Sequence, residues 1–309
     1  MAILRIQNLT KEYSTGFLGR KFRALNNLNL EVEEGEIFGF LGPNGAGKTT
    51  TIKMLLRIIF PTSGTAWLLD KELGQAPDIH KIGYMPENPY FYRFLSGQEF
   101  LMFYARLSGM LREEARKKVD ELLDTVGLKY ARKTRLSDYS KGMVTRVGLA
   151  QSLITNPSLL LLDEPMSGLD PIGRREIRDL IHRLKEERKT IFFCSHILAD
   201  IELLCDRIAI LNKGELIKLG TVQEILSSRQ PDYVLVLDGL SGTALEEIKR
   251  MHISKYEMIS GFHHFVAPSQ DEAQRIAQRA MADNGRIIEL RPERGTLEDY
   301  FIREVGTRE

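Results

Sequence analysis

The stretch GPNGAGKT, Gly42 to Thr49, stands between an apolar run, EIFGFL, and a run with helical spacing, TTIKMLL. It fits the pattern G-x-x-x-x-G-K-[ST]. That pattern requires a buried strand, a tight glycine turn and a helix in this order, and nothing else in the chain narrows the fold as much. The glycines let the backbone curl so that successive N–H groups face inward as an anion nest. The following helix aims the positive end of its dipole at the same point. Lys48 has the reach for the outer phosphates of a nucleotide, and the Thr49 hydroxyl is a hard-oxygen donor suited to Mg2+.

Two later runs fit a sheet buried on both faces. LLLLDEP and KTIFFCSH are short, continuously apolar and bounded by polar residues, as central parallel strands are. Each ends on a group with chemistry. Asp163 closes the leucine run at the carboxyl edge of the sheet, where ligands bind in open α/β folds, and is placed to hold Mg2+ directly or through water. Glu164 beside it is placed to polarise an attacking water. His196 ends the second run, where a ring nitrogen can bond a γ-phosphate oxygen or that water.

Between about Ser96 and Asn156 the chain is helix-rich; EEARKKVDELLDTVGL carries apolar residues at helical spacing. RIAILNKGELIKLG resembles a hairpin turning at Lys-Gly. After a linker at 226–232 containing Pro231, the sequence reads strand, helix, strand, strand, helix, strand and a last helix. That is the order of a ferredoxin-like unit with one helix appended. The spacing predicts that His263 and His264 face opposite sides of one strand, which argues against a shared metal.

Length and charge bound the possibilities. At 309 residues, two domains are expected. With 43 Lys+Arg against 42 Asp+Glu, binding nucleic acid through a net basic surface is disfavoured. Cys194 and Cys205 lie in or beside apolar runs without metal-ligand spacing, which reads as buried thiols in a reducing compartment. No apolar run approaches the roughly 20 residues that span a bilayer. The opening MAILRIQNLTKEY lacks the apolar core of a signal peptide. A cytoplasmic protein is expected, with any membrane role exercised through a partner.

Together these residues resemble the nucleotide-binding subunit of an ATP-binding cassette (ABC) transporter, over about residues 1–225. The motif order matches: Walker A at Gly42, Pro43, Asn44, Gly45, Ala46, Gly47, Lys48, Thr49 and Thr50; a signature at Tyr139–Met143; Walker B at Leu159–Asp163, then Glu164; the D-loop SGLD ending at Asp170; and a switch histidine, His196. The resemblance implies an α/β P-loop NTPase cassette, a mixed sheet core plus a helical subdomain at about 88–156, followed by a small α+β, ferredoxin-like domain at 233–309. It implies ATP and Mg2+, with Thr49 and Asp163 at the metal. It implies catalysis by Lys48, Glu164 and His196 and a dimer, of this chain or with a paired cassette, that sandwiches two ATP molecules. It also implies an integral membrane permease subunit that holds the protein at the cytoplasmic face of the membrane, an exporter-type assembly, and no nucleic-acid partner.

In the stretch LSDYSKGMVTR, Ser140 and Gly142 match the family's LSGGQ signature, while Tyr139, Lys141 and Met143 depart from it. By resemblance this motif contacts the γ-phosphate of ATP held by the opposite subunit. Lys141 either strengthens that attraction or points into solvent. In IGYMPENPYFYRF, Glu87 stands where the family usually has a glutamine near Mg2+; a carboxylate can still ligate the ion but cannot donate a hydrogen bond. The aromatics Tyr90, Phe91, Tyr92 and Phe94 after it read either as core or as the seat of a short cytosolic helix of the membrane subunit. Tyr13 resembles the adenine-stacking aromatic, with Phe17 and Phe22 as alternatives. Two rival readings are a soluble cassette ATPase acting on ribosomes or DNA, and a nucleotide-gated scaffold with little hydrolysis.

Overall fold

Two long strands open the chain, β1 (Ala2–Thr15) and β2 (Arg20–Glu33), paired antiparallel. The sequence reads residues 14–23 as a polar loop; instead the ladder extends into it from both sides as far as Thr15 opposite Arg20, bringing Tyr13 opposite Phe22 and Ser14 opposite Lys21. Cross-strand pairing of alternating side chains overrides the local turn composition there. The computed structural model describes residues 1–15, 20–75, 78–89, 91–227, 231–293 and 296–306. Phe17 and Tyr90 lie outside the described residues.

The first compact unit is Met1–Thr221. After β2 come β3 (Ile37–Leu41) and α1 (Lys48–Leu55), then β4 (Ser63–Leu68), β5 (Lys71–Glu72) and β6 (Ile82–Met85). The helix-rich middle forms α2 (Gly97–Leu107), α3 (Arg112–Thr125) and α4 (Lys141–Ser152). Ser96 starts α2 with a capping box shared with Glu99, which satisfies two otherwise orphaned donors. There follow β7 (Leu159–Asp163), α5 (Pro171–Glu186), β8 (Thr190–Ser195), α6 (Leu198–Leu204), β9 (Arg207–Asn212) and β10 (Glu215–Thr221).

One sheet has the order β2-β1-β4-β5; the other runs β10-β9-β3-β8-β7-β6, parallel except at β10. Every residue of β3, β7 and β8 is buried, as the continuous apolar runs require. A single core joins the two sheets: Leu4, Leu28 and Leu30 pack with Phe38, Phe40, Leu161 and Phe192. The β9–β10 hairpin turns at Lys213 and Gly214, both at positive φ, which suits the twist of a tight hairpin.

The second unit is Val222–Glu309. It comprises α7 (Val222–Ser227), β11 (Asp232–Asp238), α8 (Gly242–Lys249), β12 (Lys255–Ile259), β13 (Phe262–Ala267), α9 (Gln270–Ala282), β14 (Arg286–Glu293) and α10 (Leu297–Gly306). Its antiparallel sheet has the order β12-β13-β11-β14, the split β-α-β arrangement of a ferredoxin-like unit. Leu235, Leu237 and Phe265 pack with Ile276, Ala277 and Ala280 of α9. His263 is buried, and its Nδ1 shares a 2.9 Å hydrogen bond with the Tyr256 hydroxyl. Burial, and secondarily Lys249, pull its pKa down, so it sits there as a neutral ring.

Candidate active site

The Gly-rich turn leaves the end of β3 and enters α1 through Gly47. Here glycine is obligatory twice over: φ is +107°, and a Cβ would stand 2.6 Å from the carbonyl oxygen of Ala24. α1 has no side-chain cap and no acidic residue in its first turn. No side chain of the helix itself therefore offsets its first amides and dipole, which face the turn. The turn lines a cavity of about 200 Å³ formed by Tyr13, Phe22, Ala24, Pro43, Asn44, Gly45, Ala46, Gly47, Lys48, Thr49, Thr50, Glu87 and Glu164. Tyr13 and Phe22, neighbours across the β1–β2 ladder, thus line one cavity. Their pairing depends on a register that composition does not reveal.

Lys48 is buried at 6% exposure, and its Nζ donates to the carbonyl of Gly42 at 2.6 Å. The same ammonium lies 3.4 Å from Glu164 Oε1, an ion pair without hydrogen-bond geometry. Glu164 Oε2 meets His196 Nδ1 at 2.8 Å. Glu164 owes this position to its backbone: its N–H continues the β7–β8 ladder to the carbonyl of Cys194 at 3.0 Å, while its φ of 52° turns the chain out of the strand. A left-handed non-glycine residue costs of order 1–3 kcal/mol and persists only where its surroundings fix it. Lys48, Glu164 and His196, brought together from the start of α1 and the ends of β7 and β8, form one connected chain of polar contacts.

Asp163 lies one step deeper, with 1% exposure. Its Oδ2 accepts from the Thr49 hydroxyl at 3.0 Å, and its Oδ1 is buried without a hydrogen-bond partner. Burial pushes its pKa up; the Thr49 bond pulls it down, Glu164 and Glu87 push it up, and Lys48 pulls it down. Below it, burial together with Asp163 and Cys194 pushes Tyr84 up to about 12, so that phenol is neutral. Burial likewise holds the Cys194 thiol well above its ordinary value. A buried carboxylate with one oxygen unsatisfied, next to a hard hydroxyl oxygen, fits a divalent cation. Among the described residues no three acidic, histidine or cysteine groups form an all-protein metal cage. Magnesium does not need one, since it is bound through one or two carboxylates and keeps its other positions for water and phosphate.

Ser140, Gly142 and Asp170 do not line this cavity. Ser140 caps α4, its Oγ accepting from Met143 N at 3.3 Å, and Asp170 caps α5, accepting from Gly173 N at 3.0 Å. Gly142 has open space where a Cβ would be. Lys141 packs back on its own chain: a Cβ on Gly168, in the SGLD stretch, would stand 2.0 Å from Lys141 Nζ. The signature and SGLD stretches therefore share one surface, a proximity that the sequence does not disclose.

The family sequence model described as ABC transporter matches residues 25–167. An uncharacterised ABC transporter ATP-binding protein of Synechocystis sp. is 43% identical over 309 residues, covering 99% of this chain and 85% of that protein. The bacitracin transport ATP-binding protein BcrA of Bacillus licheniformis is 34% identical over 313 residues, covering 98% of this chain and 97% of BcrA. Among solved structures, an ATP-binding cassette captured as a dimer in a post-hydrolysis state with ADP and Pi superposes with a TM-score of 0.62 at 27% identity, covering 71% of this chain and 98% of that one. The sequence likeness thus runs almost the full length of the chain, and the chain, with its Gly-rich turn, buried Asp-Glu pair and adjoining histidine, belongs to the ATP-hydrolysing ATP-binding subunits of the ABC transporters.

Proposed function

We propose that two copies of this chain close around ATP, hydrolyse it with residues from both copies, and drive export through a separate membrane permease. The observation that carries the hydrolytic part is the Lys48–Glu164–His196 chain at 3.4 and 2.8 Å, set against the uncapped start of α1. In this reading Lys48 and the Gly42–Thr50 backbone bind the phosphates, and Tyr13 or Phe22 stacks the base. Glu164 takes a proton from the attacking water, and His196 orients Glu164 and steadies the γ-phosphate. Asp163 and Thr49 would hold magnesium, with Glu87 facing the same cavity; when bound, the ion supplies charge neutralisation on the transferring phosphoryl group.

The dimer rests on where the remaining residues stand. Ser140, Gly142 and Asp170 lie outside the chain's own cavity, yet Ser140 begins a 12-residue helix whose dipole suits an anion. They serve ATP only if it is held by another copy. The dimeric state of the solved cassette supports this reading. Export is proposed from the near-complete overlap with the bacitracin transport relative, including the region beyond the cassette. No helix among the described residues is long and apolar enough to cross a membrane, so the pathway is assigned to a partner.

A seat for that partner is supported by the aromatics after Glu87, which divide. Phe91 turns inward, edge-on to Phe100 at 4.7 Å and against Gly148. Tyr92, Phe94 and Phe103 form an outward cluster, with ring centroids 5.9 and 5.8 Å from Tyr92, and are 42%, 71% and 45% exposed. Exposed aromatics in contact with one another are what interface cores enrich. The double substitution Tyr92→Ala with Phe103→Ala is expected to leave ATP binding intact and to weaken co-purification with the permease by about tenfold or more. Full co-purification and normal transport by that variant would remove this seat from the reading.

A further inference from the structure

Close in sequence to His196 lies an ion cluster around a buried carboxylate that the hydrolytic reading leaves unused. Asp200, four residues after His196 and in the first turn of α6, is 2% exposed. α5 packs against α6 and carries Arg174 and Arg178, one helical turn apart. The Arg178 guanidinium lies 3.7 Å from Asp200 Oδ1. Asp200 Oδ2 and Arg174 Nε are both buried without a hydrogen-bond partner. Burial pushes the Asp200 carboxyl up, Arg174 and Arg178 pull it down, and the charges of Glu164 and His196 both reach it, the first raising and the second lowering it. The charges of the proposed catalytic pair therefore bear on the cluster through space, with no hydrogen bond between the two among the described residues.

The connectivity gives the cluster a purpose. α5 is a direct continuation of the SGLD stretch: Asp170 caps it, and Arg174 N donates to Asp170 O at 2.9 Å. α6 has seven residues and no side-chain cap, and a helix that short does not hold its own orientation; tertiary contacts must fix it. Its orientation sets where His196 stands, because the histidine is two residues ahead of its first turn. A buried carboxylate beside a guanidinium, with one of its own oxygens and the Arg174 Nε left without a hydrogen bond, is an expensive arrangement to keep.

We propose that Asp200 is a positioning residue which, through Arg174 and Arg178, ties α6 to the SGLD helix α5 and so holds His196 against Glu164. Movement of the Asp170 end of α5 on dimer closure is thereby carried to the histidine. The proposal rests on the assignment of Glu164 and His196 as the hydrolytic pair, and the test separates the two. In the full-length protein, Asp200→Asn is expected to lower kcat by about ten- to a hundredfold, the loss typical of a displaced catalytic group, with ATP affinity unchanged. Asp200→Glu, which keeps the charge, recovers most of that loss. In a His196→Ala background, single-turnover measurement finds no further loss on adding Asp200→Asn. Wild-type kcat in Asp200→Asn, or the same fold-loss in both backgrounds, overturns the tie. Wild-type kcat in His196→Ala instead overturns the underlying assignment. Should Asp200→Asn fail to fold, Arg178→Gln, at a side chain 25% exposed, is measured the same way, and an unchanged kcat again overturns the proposal.

Discussion

Glu164→Gln is expected to lower steady-state ATP hydrolysis by about 10²–10⁴-fold, the range that one positioned general base supplies. The substitution is nearly isosteric, so the left-handed backbone at this position and the contact with His196 have the same space to occupy. What is lost is the acceptor for the water proton and the negative charge facing Lys48 at 3.4 Å. Binding of ATP therefore survives while turnover does not, and the ATP-bound dimer accumulates. Phosphate release measured alongside size-exclusion chromatography in ATP reads both halves of the outcome. Normal hydrolysis by the variant would take the general-base role away from Glu164, whatever else it does in the cavity.

Lys48→Met has the second large effect, and it acts earlier in the cycle. The ammonium is buried at 6% exposure and held by the carbonyl of Gly42, so it faces the cavity without competition from bulk water. A hydrogen bond to a charged group is worth about 1.5–3 kcal/mol, and its loss raises the Kd for ATP roughly ten- to a hundredfold. The substitution also leaves Glu164 Oε1 buried opposite a thioether, with no cation to offset its charge. Hydrolysis then falls further than binding does. Equilibrium titration with a fluorescent nucleotide is the check; wild-type affinity in Lys48→Met would mean that the Gly-rich turn binds phosphate by its backbone alone.

The parts of this arrangement that were legible in the sequence share a cause. The turn at Gly42–Thr49, the carboxylates at the end of a leucine run and the histidine at the end of another are each fixed by local chemistry. An anion nest needs glycines at set offsets, and a sheet buried on both faces needs unbroken apolar runs. The split β-α-β order of the second unit was legible for a similar reason, because alternation and helical period switch cleanly from element to element. What the sequence hid depends on partners far away along the chain. Tyr13 and Phe22 line one cavity because the β1–β2 ladder extends, as far as Thr15 opposite Arg20, into residues that read as a loop. Phe91 and Tyr92, adjacent in sequence, part company because one finds Phe100 and Gly148 and the other does not. Asp200 looks like one more polar residue on a short helix until α5 is packed against it. Lys141 departs from the signature of its family, and its ammonium rests on Gly168 of the same chain.

That last contact gathers Ser140, Gly142, Gly168 and Asp170 onto a surface outside the cavity of the Gly-rich turn, which makes the central claim a claim about molecularity. Specific ATPase activity of the purified subunit, measured across a range of protein concentrations with the association state followed in parallel by sedimentation, tests it most directly. If Ser140 and Gly142 complete the site in trans, activity per subunit rises with concentration in step with the fraction of dimer, and Ser140→Arg removes that rise while Lys48-dependent ATP binding remains. Constant activity per subunit down to concentrations at which the protein is wholly monomeric would contradict it, and would locate the entire hydrolytic site within one chain.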